Sequence, residues 1–269
     1  MKYARLLPAL LVALALLLAS SPVAAITYGE PDGERHPYVG TIFVDSPEGL
    51  WWICSGSLIS PTVFVTAGHC TERIHELGGP ATVIFASAFG PGMVAHPVAQ
   101  AITGPNYFIG ERLPTHGDIG VLIMQSPIYL SQYAELPTAG LLDSLATQRG
   151  RQDLSVTIVG YGTIGIDNPY GGKPAMTFNY RRNMTPATIL NLRSHMTDGE
   201  NVQISGNPGQ GRGGACFGDS GGPTLLGDSH VMIGVNSFVF NNNCAGTAFA
   251  YRTDIADARA FLSQFVELP

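Results

Sequence analysis

The residues with the most evident potential for chemistry lie in the stretch GACFGDSGGP at Gly214–Pro223. Glycine has no Cβ, so Gly218 and Gly221 can adopt positive φ angles and let another backbone approach closely. Such a turn holds the hydroxyl of Ser220 clear of the chain, and the amides of Gly218 and Ser220 can then form an oxyanion hole. Ser220 is therefore a candidate nucleophile.

The alternative is a structural surface turn, because Gly, Asp, Ser and Pro dominate ordinary turns for local reasons. The complete string GDSGGP is much rarer than its parts. With Gly at about 7% and Pro at about 5% of average usage, it would arise by chance about 10⁻⁵ to 10⁻⁴ times per chain. A catalytic role for Ser220 requires a base and an acid elsewhere in the chain.

Two other segments carry such groups. The sequence TAGHC at 66–70 follows an apolar run and places His69 at the end of a predicted strand, beside a cysteine. Asp118 introduces the apolar run IGVLIM, which predicts a buried carboxylate, and a buried carboxylate needs a partner such as an imidazole. The alternatives are a structural histidine in the core and an aspartate that caps a turn.

The composition indicates what must position these residues. The chain has 269 residues, of which 45% are hydrophobic and 13% charged, so it can bury a substantial core. Its 33 Gly and 19 Pro separate many short apolar runs, which predicts an all-β sandwich or barrel. Apolar residues at helical spacing from Ile255 to Val266 predict one helix over about 254–267, with Thr253 and Asp254 as cap candidates.

The composition of the middle of the chain predicts a loop after a strand. The segment Ile164–Pro186 is rich in Gly, Asn and Pro, and it follows a strand predicted at Ser155–Gly162. We therefore expect a long surface loop there.

The first 25 residues have the organisation of a secretory signal peptide. Lys2 and Arg5 precede an apolar run from about Leu6 to Ala19, and Val23–Ala25 offers a small-residue cleavage site. A membrane anchor is the alternative, but the run is shorter than the roughly 20 apolar residues that span a bilayer. We expect a secreted, extracellular protein whose mature chain, residues 26–269, does not bind membranes.

Charge limits the partners of this mature chain. Cleavage after Ala25 leaves 12 Lys plus Arg against 20 Asp plus Glu, a net charge of −8. Such a surface repels phosphate, which disfavours nucleic acid and anionic membranes. No pattern in the sequence indicates a cofactor or a metal, and we expect a monomer.

Four cysteines in a secreted chain predict two disulfides, for which three pairings are possible. Cys54 and Cys70 flank one candidate site segment, and Cys216 and Cys244 flank another, so we expect these two pairs. The alternative, a zinc site, lacks paired Cys-x-x-Cys spacing.

His69, Asp118 and Ser220 supply a base, an acid and a nucleophile in that chain order. Through TAGHC at 66–70, DIGVL at 118–122 and GDSGGP at 218–223, the sequence resembles the trypsin-like (chymotrypsin-fold) serine peptidases. ITYG at 26–29 is similar to the activated N-terminus of that family, and GYG at 160–162 to the start of its second barrel. The resemblance covers nearly all of residues 26–269.

This resemblance implies an all-β fold of two packed antiparallel six-stranded β-barrels, at about 26–140 and 141–252, followed by the C-terminal helix. It implies a serine endopeptidase that hydrolyses protein or peptide substrates through an acyl-enzyme. His69 would act as the base, Asp118 would orient it, and the Gly218 and Ser220 amides would hold the oxyanion. Gly68 and Gly120 stand where the family usually has alanine, which predicts looser strands around the base and the acid.

The resemblance also implies a specificity pocket. Its floor would be Gly214, which offers no carboxylate for Lys or Arg, and its walls would be Val239 and Thr247, which narrow it. We therefore expect cleavage after small or medium apolar residues. Ser237 and Phe238 would belong to an edge strand that pairs with the substrate backbone.

The new N-terminus is the last implied feature. Signal cleavage would expose the α-ammonium of Ile26, which we expect to pair with Asp219. Secretion itself would then yield active enzyme without a separate activation peptide.

The same residues allow three alternative interpretations. GDSGG also fits the G-x-S-x-G elbow of α/β-hydrolases, but that fold needs an acid and then a histidine after the serine, and only His230 follows, ten residues later. A catalytically silent secreted binding protein on the same fold is the non-enzyme alternative. A metal site at His116 and Asp118 lacks further ligands nearby.

Overall fold

Short runs of β-branched and aromatic residues form most of the regular structure, as their preference for pleated, half-buried surfaces predicts. The run VFVT at Val63–Thr66, for example, is a strand in which every residue is buried. The structure is a computed structural model that describes residues 29–108, 113–146, 154–167, 175–206, 213–244 and 246–269. The predicted signal peptide and Ile26 lie outside the described residues.

Six strands of the first half close into an antiparallel barrel, in which neighbours pair in the order β2-β3-β4-β7-β6-β5. These strands are β2 (Val39–Ser46), β3 (Gly49–Leu58), β4 (Val63–Thr66), β5 (Ala81–Ile84), β6 (Ala95–Thr103) and β7 (Gly120–Met124). Helix α1 (Gly68–Leu77) lies between β4 and β5 in the chain. It ends at Leu77, and the next residue, Gly78, adopts the left-handed conformation typical of a helix C-terminus.

Six strands of the second half close into a second antiparallel barrel, in which neighbours pair in the order β8-β11-β12-β15-β14-β13, and β13 returns to β8. These strands are β8 (Ser155–Gly160), β11 (Asn183–Asn191), β12 (Asn201–Gly206), β13 (Pro223–Leu226), β14 (Met232–Val239) and β15 (Gly246–Arg252). The short strand β1 (Glu30–Pro31) pairs with β11 and so joins the N-terminal segment to this barrel.

Three shorter elements complete the described structure: the hairpin of β9 (Gly165–Asp167) and β10 (Ala175–Thr177), helix α2 (Leu141–Ala146) and helix α3 (Ala256–Leu262). The predicted all-β fold of two six-stranded barrels is confirmed. Within the ranges described, no helix has the length and apolar character needed to cross a membrane.

The structure corrects three local predictions. The expected loop at 164–186 contains the β9–β10 hairpin and the beginning of β11. The C-terminal helix is shorter than predicted, and its N-cap residue is Ile255, without a side-chain cap. Asp254 does not cap this helix, because its carboxylate accepts hydrogen bonds from the guanidinium of Arg252 and from the amide of Leu142.

Candidate active site

His69 is the second residue of α1, not the end of a strand as the sequence suggested. β4 ends at Thr66, and Ala67, the N-cap residue of α1, provides no side-chain cap. The next helical residue, Cys70, is joined by a disulfide to Cys54 of β3. The start of the helix is therefore fixed covalently to the first barrel.

Asp118 is completely buried and faces the beginning of α1. Its Oδ1 accepts a hydrogen bond of 3.0 Å from the backbone N–H of His69, one of the N–H groups that a helix start leaves unpaired. The ring Nδ1 of His69 lies 3.0 Å from Oδ2 and 3.2 Å from Oδ1. Ser237 Oγ, from the second barrel, donates a further short hydrogen bond to Oδ2. The carboxylate thus caps the helix and orients the imidazole that the helix carries.

The same contacts shift two pKa values. Burial alone would lower the pKa of His69, but the charge of Asp118 and the hydrogen bond to it raise that pKa above its usual value. Burial alone would raise the pKa of Asp118, but His69 and the hydrogen bonds from His69 and Ser237 lower it. The pair therefore favours an ionised carboxylate beside an imidazole that readily accepts a proton.

Close packing occupies the space next to the two glycines that were expected to loosen this region. A Cβ on Gly68 would lie 2.9 Å from two ring carbons of Tyr107, and a Cβ on Gly120 would lie 2.6 Å from Cγ2 of Thr71. Contacts this short do not occur between real side chains and a rigid neighbour. The glycines admit Tyr107 and Thr71 close to the backbone, so this region is closely packed, contrary to our expectation.

Ser220 lies in a turn that hydrogen bonds hold on several sides. Gly218 and Gly221 have φ angles of 93° and 81°, the left-handed region that glycine tolerates. Ser55 of β3 donates to this turn twice, from its N–H to the carbonyl of Ser220 and from Oγ to the carbonyl of Gly218, both at 2.8 Å. A disulfide between Cys216 and Cys244 fixes the approach to the turn. Both predicted cysteine pairs are present.

The predicted oxyanion donors and the predicted base lie around this serine. Neither the N–H of Gly218 nor that of Ser220 donates to an acceptor in the part of the chain that the structure describes. The side chains of His69 and Ser220 line one cleft, but among the described residues no hydrogen bond joins them. Such catalytic hydrogen bonds are often long without substrate and shorten in the complex.

Asp219 lies beneath the turn and is completely buried. Its Oδ1 accepts a 2.7 Å hydrogen bond from the N–H of Gly162, and its Oδ2 a 2.9 Å bond from the N–H of Cys216. No cation pairs with it within the described ranges. Burial therefore raises the pKa of Asp219 to about 7, despite the two hydrogen bonds that lower it.

A cleft of about 410 Å³ opens beside His69 and Ser220. No Asp, Glu, Lys or Arg lines it among the residues described, and aromatic and aliphatic side chains provide much of its surface. Its lining residues are His69, Leu113, Thr115, Ala215, Cys216, Phe217, Ser220, Asn236, Ser237, Phe238, Val239, Phe240, Asn241 and Asn242. The cleft is thus suited to an apolar group.

Of the three residues predicted to form the specificity pocket, one lines the cleft. Val239 lines the cleft, whereas Gly214 and Thr247 are absent from the lining described. Gly214 is buried against Gly206, and a Cβ on Gly214 would lie 2.8 Å from the Cα of Gly206. Phe238 lines the cleft and stacks on Phe249 at a centroid distance of 4.5 Å.

Sequence reasoning missed several cleft residues. Leu113 comes from a segment without a distinctive pattern. Phe217 lies within the stretch 214–223 that carries Ser220, and that position was an available signal. Phe240 follows directly after the end of β14 and the predicted residues Ser237, Phe238 and Val239. The direct role of Ser237 toward Asp118 was also missed, since Ser237 was assigned only to substrate binding.

One group of possible metal ligands occurs in the described chain, formed by Cys54, His69 and Cys70. Both sulfur atoms belong to the Cys54–Cys70 disulfide, so neither is a thiolate that could bind a metal. His116 was the other candidate metal ligand in the sequence, and its Nδ1 lies 3.6 Å from a carboxylate oxygen of Glu200.

Comparison with known proteins places these observations in a family. A family model described as Trypsin matches residues 28–261. A trypsin of Phaedon cochleariae is 28% identical over 81% of each chain, and an ovochymase of Halocynthia roretzi is 28% identical over 69% of this chain but only 12% of its own length. The solved structure of HL collagenase has a TM-score of 0.68 at 18% identity, over 90% of this chain and the whole of that chain, which shows a shared fold. The chain belongs to the trypsin family of serine proteases.

Proposed function

We propose that this protein is an active serine endopeptidase that hydrolyses peptide bonds through an acyl-enzyme. The observation that carries the proposal is the buried Asp118 carboxylate, which orients the imidazole of His69 in the cleft that also contains Ser220. A serine hydroxyl is a weak nucleophile at neutral pH, so a positioned base is needed.

In the proposed mechanism, Nε2 of His69 removes the proton of Ser220 while Oγ attacks the carbonyl carbon of the substrate. The resulting oxyanion would accept hydrogen bonds from the N–H groups of Gly218 and Ser220. His69 then donates its proton to the leaving amine, and water hydrolyses the ester by the same steps. Asp118 stabilises the imidazolium at each stage.

The cleft supports a preference for small or medium apolar residues before the cleaved bond. It offers no carboxylate to Lys or Arg among the described residues, and the apolar side chains of Val239 and Phe217 contribute to its lining. Strand β13 pairs with β14 only as far as Val235, so Ser237–Val239 keeps one edge available to a substrate backbone.

The surroundings of Asp219 support pairing with a new N-terminus. A buried carboxylate without a cation is unfavourable, and the α-ammonium of Ile26 would supply that cation. We infer that removal of the signal after Ala25 during export exposes Ile26 and so completes the site without a separate activation step. Sequencing of active, secreted protein should give Ile26 as its first residue, and active material with any other first residue would contradict this inference.

Active-site labelling tests the enzymatic proposal. A fluorophosphonate or sulfonyl fluoride should label the wild-type protein on Ser220, whereas Ser220→Ala should remain unlabelled and hydrolyse no peptide. Ser229→Ala is a matched control, because Ser229 lies in a turn away from the cleft. An unlabelled wild-type protein that is folded would instead favour a catalytically silent binding protein.

The same preparation tests specificity with peptide p-nitroanilides. Substrates with Ala, Val or Leu before the cleaved bond should have the highest kcat/KM. If Arg or Lys substrates were hydrolysed fastest, the proposed preference would be wrong.

A further inference from the structure

Tyr107 is a half-buried residue of the segment between β6 and β7, and the proposed mechanism does not use it. Its side chain does not line the cleft. The hydroxyl is buried, but among the described residues it has no hydrogen-bond partner. A buried tyrosine hydroxyl usually has such a partner, so a polar contact does not explain the position of this side chain.

The ring of Tyr107 contacts the chain immediately before the proposed base. A Cβ on Gly68 would lie 2.9 Å from Cγ and from Cδ2 of this ring, which is closer than a real Cβ approaches a packed neighbour. The ring therefore packs directly against the backbone of the first residue of α1, and the second residue of α1 is His69.

The backbone of Tyr107 contacts the residue immediately before the proposed acid. That residue is Gly117, which has a φ angle of 59°. A Cβ on Gly117 would overlap the carbonyl oxygen of Asn106 and lie 2.7 Å from the backbone nitrogen of Tyr107, so only glycine fits there. Two hydrogen bonds hold this segment: the N–H of Tyr107 donates to the carbonyl of Gly104 at 3.0 Å, and the N–H of Gly104 donates to the carbonyl of Ile119 at 2.8 Å.

The surroundings of the hydroxyl keep it uncharged. Burial raises the pKa of Tyr107, and the carboxylates of Asp118, Glu72 and Glu76 raise it further. The hydroxyl thus stays protonated and donates to no acceptor among the residues described. The ring, and not the hydroxyl, is the part of this side chain that contacts the start of α1.

We propose that Tyr107 is a positioning residue that sets the distance between the imidazole of His69 and the carboxylate of Asp118. Its ring supports the start of α1, its backbone supports the residue before Asp118, and each contact requires a glycine as its neighbour. One residue thus fixes both partners of the 3.0 Å contact between Nδ1 and Oδ2. This inference rests on the proposed peptidase activity.

Removal of the ring tests the proposal. Tyr107→Ala should lower kcat by up to about 10²-fold with little change in KM, because misplacement of a catalytic group by about 1 Å has an effect of that size. Burial lowers the pKa of His69, but Asp118 raises it above its usual 6.5. A looser pair should let this pKa return toward 6.5, so the midpoint of kcat/KM should move to lower pH.

Two variants serve as controls for this experiment. Tyr107→Phe keeps the ring, so its kcat and its midpoint should equal those of the wild type. Tyr129→Ala also removes an aromatic side chain, but Tyr129 is 81% exposed and lies outside the cleft, so neither value should change.

Gly68→Ala tests the same contact from the opposite side. Alanine is the better helix former, but its Cβ would displace the Tyr107 ring, so kcat should fall and the midpoint should shift in the wild-type background. In the Tyr107→Ala background the same substitution should have little further effect, because the ring is absent. Titration with the fluorophosphonate counts active molecules, so poor folding does not lower the measured kcat. If Tyr107→Ala does not fold, Gly68→Ala decides the question.

Wild-type kcat and midpoint in Tyr107→Ala would overturn the proposal, and so would equal losses in Tyr107→Ala and Tyr107→Phe. NMR titration of the His69 imidazole in Ser220→Ala protein repeats the comparison without catalysis. In that background Tyr107→Ala should lower the pKa of His69, and an unchanged pKa would overturn the proposal. A wild-type protein that the fluorophosphonate does not label would contradict the proposed function, whereas this titration would still decide the role of Tyr107.

Discussion

At the scale of single residues, the two carboxylate oxygens of Asp118 face three hydrogen-bond donors. The backbone N–H of His69 donates to Oδ1 and Ser237 Oγ donates to Oδ2, while Nδ1 of His69 lies within hydrogen-bond distance of both oxygens. With the carboxylate completely buried, loss of any donor leaves acceptor capacity unsatisfied in a region that water does not reach. The position of the imidazole and its affinity for a proton therefore depend on the same few contacts.

The pH profile of catalysis should report this dependence. His69 must be neutral to accept the serine proton, so kcat/KM should rise with pH, with a midpoint above 6.5 because Asp118 raises the pKa of His69 from its usual 6.5. In Asp118→Asn the carboxylate charge is absent while burial still lowers the pKa, so the midpoint should move to lower pH. The rate should fall by about 10⁴-fold, as expected when the tautomer is no longer fixed.

Asp228→Asn serves as the control for this profile, because Asp228 is an exposed turn residue. It should reproduce the wild-type midpoint. A midpoint that does not move in Asp118→Asn would show that Asp118 does not control the protonation of His69.

At the scale of secondary-structure elements, α1 holds the proposed base in place. Its N-cap residue Ala67 has no capping side chain, so Asp118 and the Cys54–Cys70 disulfide fix its first turn. A negative charge at this end also interacts favourably with the helix dipole. The orientation of His69 thus depends on the disulfide to Cys54 of β3 and on the hydrogen bonds to Asp118, and not on α1 alone.

Removal of the Cys54–Cys70 disulfide tests this dependence. The two cysteines are 16 residues apart, so Cys54→Ala with Cys70→Ala should lower the free energy of unfolding by about 3 kcal/mol, the loop-closure value for that separation. Because α1 would gain freedom, kcat should fall by up to about 10²-fold with little change in KM. Urea denaturation and steady-state kinetics measure the two effects. Lower stability with unchanged kcat would show that the disulfide does not position His69.

The sequence predicted those elements that have a clear local signal. An apolar, β-branched run predicted a strand at Ser155–Gly162, for example, and β8 spans Ser155–Gly160. Helix α1 was missed because it follows directly on a strand, although Gly78 after Leu77 is a usual helix end. The β9–β10 hairpin has strands of only three residues, too short to show a period. Its place in the fold follows from tertiary contacts.

At the scale of the whole molecule, the proposed site is shared between the two barrels. Ser55 from the first barrel binds the turn of Ser220, and Ser237 from the second binds Asp118. Motifs could predict which residues meet, but not the contacts that hold the barrels together. Those contacts join residues far apart in the chain and leave no local pattern in the sequence.

Arg182, just before β11, provides several such contacts. It is the largest completely buried side chain among those described, and it donates to the carboxylate of Asp32 at 2.7 Å. Its other donors bind the carbonyls of Gly33, Val39 and Phe85 at 2.7, 3.1 and 3.0 Å. One guanidinium thus connects the N-terminal segment, the first barrel and the second.

We expect Arg182→Met to lower the free energy of unfolding by about 3 to 5 kcal/mol, because it removes the guanidinium from the buried Asp32 carboxylate, which among the described residues then keeps only its contacts with His36. Arg182→Met combined with Asp32→Asn should recover part of this loss, since neither member of the ion pair then remains. Arg73→Met is the control: Arg73 pairs with Glu76 on the exposed surface of α1, where such a pair contributes at most about 1 kcal/mol. Urea denaturation of the four proteins at neutral pH measures these differences. A double variant no more stable than Arg182→Met would mean that the lost contacts to backbone carbonyls, and not the charge of Asp32 left without its guanidinium, account for the destabilisation.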